Sequence, residues 1–256
     1  MSRPRIVLLR GHQANPWDLR PWEELTDRFD VVCLVTGSNL YDLGLLELEK
    51  VRVYARRDFL PRGRLGDLTV SVPGDGYLGL AKKLAGAAIV HSAELGPWFS
   101  RQPAVLKERL GYKLALTVWE TIPFVNAYRT FRARAYRAAT IAATDLFLPT
   151  TERARAGLLL EGVPAERIEV CPPGVDRERF SAAQRAGSRT DEHVVVSPGR
   201  LVWEKGHQDV IRALAALERG LVTSPSGDRV HAKLLIVGAG PEEERLRAYA
   251  ADCGLA

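Results

Sequence analysis

Residues 194–214 read VVVSPGRLVWEKGHQDVIRAL, and this stretch decides the fold. His193 and three β-branched valines run up to Ser197-Pro198-Gly199, the kind of punctuation that closes a strand. Apolar residues then recur at Val210, Ile211, Leu214 and Leu217, the spacing of a helix that rests one face on a sheet. A strand, a short turn and such a helix make one unit of a doubly wound α/β fold. The predicted helix runs from Glu204 to Leu217, with Lys205 and Gly206 in its first turn and Arg200 in the loop before it. Free N–H groups and the positive end of the helix dipole favour an anion there. An arginine fork and a lysine ammonium aimed at the same point would clamp a diphosphate. The same two charges also suit a solvated helix start, so chemistry alone leaves both readings open.

The alternation extends outward in both directions. Strands are predicted at Arg5–Leu9, Asp30–Val35, Val51–Tyr54, Ala87–Val90, Leu114–Trp119 and Asp145–Leu148. Helical spacing falls at Tyr77–Ala85, Pro103–Leu110, Tyr128–Ala142 and Thr151–Glu161. The turn-rich CPPGVD at 171–176 and the small polar residues of 181–191 then read as an interdomain hinge. A second series follows, with a strand at Val194–Val196, the helix already described, a strand at Lys233–Val237 and a helix at Pro241–Ala251. The expected class is α/β, with two Rossmann-like doubly wound domains at residues 1–188 and 189–256. An open sheet of this type has about five or six strands. The second domain holds about two strand–helix units and so reads as incomplete, the start of a longer one.

Hydrophobic residues are 46% of the chain and charged residues 26%, an ordinary balance for a protein with a core. No apolar run approaches the roughly 18 residues a membrane span needs. The N-terminus runs straight into the first strand, leaving no room for a signal peptide, which reads as a cytoplasmic chain. Three distant cysteines, Cys33, Cys171 and Cys253, suggest neither a disulfide framework nor a zinc site. The formal net charge of +5 favours anionic partners: phosphate groups, anionic lipid or nucleic acid.

Other candidate residues lie at strand ends. Gly11 closes the first strand, where a glycine either lets backbone approach a ligand or takes a tight turn with positive φ. His12 and Asn15 follow it and read as surface loop. His91 ends the fourth long strand, where open α/β sheets place ligand residues, although a satisfied strand-end histidine is equally expected. Trp119 reads as core, and Thr150 and Thr151 as a helix cap. Arg129, Arg132, Arg134 and Arg137 spread around their helix without forming one stripe, so they read as a solvated face. Gly238-Ala239-Gly240 does not complete a dinucleotide fingerprint, because the third small residue is replaced by Glu243 and three glutamates crowd the helix start.

The quoted stretch resembles the start of the C-terminal domain in family 4 of the glycosyltransferases, a retaining, two-domain group of the GT-B fold. Gly199, Arg200, Leu201, Lys205 and Gly206 match the family pattern. LLIVGAGPEEERLRAYA at 234–250 is similar to the family's next strand and turn, with Gly238, Gly240 and Pro241 matching. TTERARAGLLLEGVPAERIEVCPPGVD at 150–176, IVHSAELG at 89–96 and TVWETIPF at 117–124 agree as well.

The resemblance implies a glycosyltransferase working in the cleft between the domains, with a nucleotide sugar as donor and an unknown sugar, lipid or small molecule as acceptor. It implies donor diphosphate contacts from Arg200, Lys205 and Gly11, and donor nucleotide contacts from Gly238 and Gly240. The family often carries two histidines in the loop of His91, but Ala93 stands at the second position. Glu94 then takes over hydrogen bonding to sugar hydroxyls, so the catalytic set is His91, Glu94 and Glu120. No Asp-x-Asp pair occurs, so no metal and no cofactor is expected. Nucleic acid is not an expected partner, whereas peripheral contact at the inner face of a membrane stays open. An epimerase or phosphorylase of the same fold, or a non-catalytic fragment, is the alternative. The family's glutamate pair later in the C-terminal domain has no counterpart before the chain ends.

Overall fold

The computed structural model describes residues 3–61, 66, 70, 74–125, 131–175, 193–223, 227–228, 230–255. The chain divides into two compact units, Met1–Val175 and Asp176–Ala256. The expected boundary at 188/189 lies within residues 176–192, outside the described residues.

Unit 1 is built on a parallel six-stranded sheet. Its strands are β1 (Arg5–Leu9), β2 (Asp30–Val35), β3 (Glu49–Arg52), β6 (Ile89–Ala93), β7 (Lys113–Val118) and β8 (Leu146–Pro149). They lie in the order β3-β2-β1-β6-β7-β8. Register is plain at the centre, where Ile6 pairs with Val31 on one side and with Ile89 on the other. β1 is covered on both faces, as its unbroken apolar run requires. Val7 and Leu9 join Val32, Leu34, Val90 and Leu114 in one cluster, while Ile6 and Leu8 join Val31, Cys33, Leu19 and Leu46 in another. The order of strands reverses between β1 and β6, and that is where the loops part at a sheet's carboxyl edge.

The helices of unit 1 are α1 (Pro16–Leu19), α2 (Leu80–Leu84), α3 (Trp98–Leu110), α4 (Phe131–Ala143) and α5 (Glu152–Leu160). Two depart from expectation for local reasons. Tyr77 and Leu78 are not helical but form β5, antiparallel to β4 (Tyr54–Ala55); left-handed Gly79, φ 67°, separates them from α2. α3 starts at Trp98 rather than Pro103, and Pro103 sits inside it. A proline there leaves the carbonyl four residues earlier without its helical donor. That carbonyl belongs to Phe99, and the Ser92 hydroxyl donates to it at 3.2 Å.

Unit 2 holds β9 (His193–Pro198) and β10 (Ala232–Val237), a parallel pair, with α6 (His207–Glu218) and α7 (Glu243–Asp252). α6 buries His207, Ile211, Leu214 and Ala215, one stripe at helical spacing. Val194, Val196, Leu235 and Val237 are exposed on the strands. No helix among the described residues is long and apolar enough to cross a membrane.

Candidate functional site

In unit 1 the chemistry gathers at the carboxyl edge, where the β1 and β6 loops part. Gly11 has φ +60°, and a Cβ there would overlap the Phe99 ring. Its N–H donates to the Tyr77 hydroxyl at 2.8 Å, so this amide is engaged inside the unit. The tight-turn reading therefore accounts for Gly11. His12 is no surface-loop residue. Its Nε2 contacts the Asp75 carboxylate, and its Nδ1 lies 3.0 Å from Thr36 Oγ1 and 2.8 Å from Ser38 Oγ. Burial pushes the Asp75 carboxyl up, but His12 and the Gly76 and Arg57 amides outweigh it and hold the group below its ordinary value. Trp98 packs on His12 with ring centroids 5.4 Å apart. Small-molecule pockets usually enclose about 300–1,000 Å³. The open cavity here, about 460 Å³, is lined by His12, Asp75, Trp98, Arg57, Arg132 and Tyr136.

His91 is placed differently from the expectation of a ligand-facing residue. It is wholly buried, with Arg10 Nη2 3.1 Å from Nδ1 and Thr117 Oγ1 3.0 Å from Nε2. A guanidinium has donors only, so Nδ1 must accept and Nε2 carries the hydrogen donated to Thr117. Burial, then the Arg10 charge, hold His91 well below its ordinary pKa. The ring is neutral and both nitrogens are engaged, so it is a satisfied histidine, but one in the middle of β6 and not at the strand's end. Arg10, 2% exposed, also pairs with Asp18 and donates to the Leu9 carbonyl at 2.9 Å.

Glu94 and Glu120 do come together. Glu94 takes φ 64°, a left-handed conformation that costs a non-glycine residue about 1–2 kcal/mol. Strain of this kind tends to collect at functional sites. Its carboxylate accepts the Trp119 N–H at 2.7 Å, and Glu120 accepts the Ile122 N–H at 2.8 Å. Burial raises the Glu94 pKa, and the neighbouring Glu120 charge adds to it, against the Trp119 amide and Arg137. Both line a cavity of about 320 Å³ with Gly96, Pro97 and Arg137. Trp119 is 44% exposed, not core. Thr151 caps α5 as expected, its hydroxyl accepting the Ala154 N–H at 3.1 Å.

The arginine-rich helix is corrected at one position. Arg137 is buried against Glu161, with Nε donating to Oε2 at 2.9 Å. Glu161 also accepts the Phe124 N–H at 3.0 Å. Arg134 is exposed, Arg132 half-buried, and Arg129 lies outside the described residues.

In unit 2 the helix start differs from the expected one. Trp203–Lys205 is a 3-10 turn, Gly206 is left-handed at φ 70°, and α6 begins at His207. Lys205 therefore precedes the helix. Arg200 and Lys205 are both exposed, and their side chains make no hydrogen bond or ion pair among the described residues. Gly199 packs beside this turn, its Cα face within ordinary contact distance of His207 and Lys205. Gly238 and Gly240 have a packing reason: a Cβ would overlap the Gly199 carbonyl at the first and the Leu201 backbone at the second. The two turns are stitched by Gly199 N–H to Val237 O at 2.9 Å and Leu201 N–H to Ala239 O at 3.0 Å.

Asp75, Arg10 and Asp58 were missed by the sequence reading. Asp58 binds the Gly37, Ser38 and Ala55 amides, fixing the β2 loop beside His12. Each partner lies far along the chain, 63 residues for His12–Asp75 and 81 for Arg10–His91, and no local pattern announces such a pair.

Two α/β units with parallel sheets and ligand-type residues at their carboxyl edges define a Rossmann-like protein of the GT-B class. HepE of Anabaena, solved in complex with UDP and glucose, has this fold: TM-score 0.66 at 14% identity, over 99% of this chain and 67% of that one. The pattern for Glycosyltransferase Family 4 matches residues 23–179, and that for Glycosyl transferases group 1 matches residues 178–256. The chain belongs to glycosyltransferase family 4. It is 41% identical over 101 residues to the GDP-mannose-dependent alpha-(1-6)-phosphatidylinositol monomannoside mannosyltransferase of Mycobacterium tuberculosis, 36% of this chain and 24% of the relative. It is 40% identical over 132 residues to the D-inositol 3-phosphate glycosyltransferase of Acidothermus cellulolyticus, 46% of this chain and 28% of the relative. The match thus spans about a quarter of the length of these curated relatives.

Proposed function

We propose that the protein transfers a sugar from a nucleotide-sugar donor to a hydroxyl of an acceptor, with retention of configuration and without a metal ion. The observation that carries this reading is the pair of exposed, unpartnered cations at one turn, Arg200 and Lys205, in a chain of glycosyltransferase family 4. Two cations at a strand–helix turn bind a diphosphate and stabilise the charge that grows on it as the sugar departs. In unit 1, Glu94 and Glu120 hydrogen-bond sugar hydroxyls, and the cavity beside His12 and Trp98 receives a ring. The names of the two curated relatives support a cyclitol or glycolipid acceptor, and with the second a peripheral contact with a membrane on the cytoplasmic side.

The test is incubation of the protein with labelled nucleotide sugars and a panel of sugar, cyclitol and lipid acceptors in the presence of EDTA. The reading expects labelled acceptor with the donor's anomeric configuration. Epimerised nucleotide sugar without transfer, or transfer lost in EDTA and restored by Mg²⁺ or Mn²⁺, would overturn it.

A further inference from the structure

We infer that His207 is a positioning residue for the donor site: it fixes the turn that presents Arg200. The inference rests on the reading that Arg200 and Lys205 hold a diphosphate.

His207 is 1% exposed, the first residue of α6, and it heads the apolar stripe that packs on the strands. A histidine in that place satisfies two groups at once. Its Nε2 lies 3.1 Å from the Arg200 carbonyl oxygen and its Nδ1 2.9 Å from Ser197 Oγ. A carbonyl oxygen can only accept, so Nε2 carries the hydrogen, which leaves Nδ1 to accept from the Ser197 hydroxyl. One buried ring thus clamps the last residues of β9 to the turn after them. The Arg200 carbonyl has one other donor, the Val202 N–H at 2.9 Å. The Arg200 side chain itself has no partner among the described residues, so its aim is set by the direction its backbone gives to Cβ. The His207 bond is what holds that backbone from the helix side. Left-handed Gly206 makes the arrangement reachable, since it turns the chain between Lys205 and His207 so that one side chain points out and the other in.

The test uses the full chain and three variants, His207→Leu, His207→Gln and Ser197→Ala, with UDP and GDP as probes. Leucine keeps volume and apolar packing but has no donor, whereas glutamine keeps an N–H where Nε2 stood. His207→Leu is expected to weaken nucleoside diphosphate binding about tenfold, the worth of roughly one hydrogen bond, while His207→Gln stays within about threefold of the parent. Amide exchange at Leu201 and Val202 is expected to quicken by about tenfold in His207→Leu, with the β1 amides unchanged. ¹⁵N NMR should show the Nε2–H tautomer in the parent and in Ser197→Ala alike, since the Arg200 carbonyl requires a donor in both. If the parent chain binds neither UDP nor GDP, the diphosphate reading fails on its own, and the exchange rates still decide the role of His207. Unchanged exchange at Leu201 and Val202 in His207→Leu, or an Nδ1–H ring in the parent, would overturn the inference. Should His207→Leu melt unit 2, the parent's tautomer and Ser197→Ala decide it.

Discussion

Replacing Arg137 by methionine would strip Glu161 of its cation while leaving the carboxylate buried. The two side chains are 8% and 5% exposed, and two guanidinium nitrogens face the two carboxylate oxygens. Arg137 also donates to the Val125 carbonyl at 3.4 Å, so the pair ties α4 to α5 and to the segment that ends in Phe124 and Val125. Breaking one side of a buried pair costs about 3–5 kcal/mol, a large part of the roughly 5–15 kcal/mol that holds a domain together. Removing both charges costs far less, because a buried pair is worth little against apolar side chains. The double variant Arg137→Met, Glu161→Gln keeps a carbonyl for the Phe124 N–H and should recover more than half of the loss. Amide exchange of the β6 and β7 strands in a urea series reports unit 1 alone and supplies both free energies. A single-variant loss under about 1 kcal/mol, or a double variant as unstable as the single one, would refute the reasoning.

The remaining predictions concern pH and close packing. His91 is held neutral in the fold, whereas the unfolded chain takes up its proton near 6.5. Unfolding therefore gains a proton as pH falls, so stability present above 6.5 is lost below it, and His91→Gln should flatten that slope in urea midpoints between about pH 7.5 and about 5.5. A slope unchanged by the substitution would remove His91 as its source. Glu94 has the opposite sign: its carboxyl holds a proton above the ordinary 4.5, so its contribution is lost as pH rises from there. Glu94→Gln should be more stable than the parent at neutral pH and equal to it below 4.5; equal midpoints at both would exclude the raised carboxyl. Alanine at Gly238 or Gly240 drives a methyl into backbone rather than a yielding side chain, so amide exchange in β9 and β10 should become fast while β1 stays slow. Protected β10 amides in either variant would show that the turn yields.

β1 and β2 were legible to the residue, because a run of branched apolar residues bounded by charge or glycine has few other ways to bury itself. β6 lies at Ile89–Ala93 instead of Ala87–Val90, since its pairing with β1 and β7 carries it on through His91 and Ser92. α3 was cut short by reading Pro103 as a first turn, and only the fold brings the Ser92 hydroxyl to the freed carbonyl. At the sheet edge, the loop positions of Glu94, Glu120 and Arg200 after β6, β7 and β9 were legible, because residue type and spacing mark those strand ends locally. The His12–Asp75 and Arg137–Glu161 pairs were not, because each member alone looks like a surface residue and only long-range packing brings it to its partner.

The central claim is that Arg200 and Lys205 grip a diphosphate. Titration calorimetry of UDP and GDP into the chain, and into Arg200→Ala and Lys205→Ala, tests it most directly. Each substitution should weaken binding by about 1.5–3 kcal/mol, the range for hydrogen bonds to charged groups, with little change in folding because both side chains are exposed. Affinity equal to the parent's in both variants, or no saturable binding of either nucleotide to the parent, would contradict it.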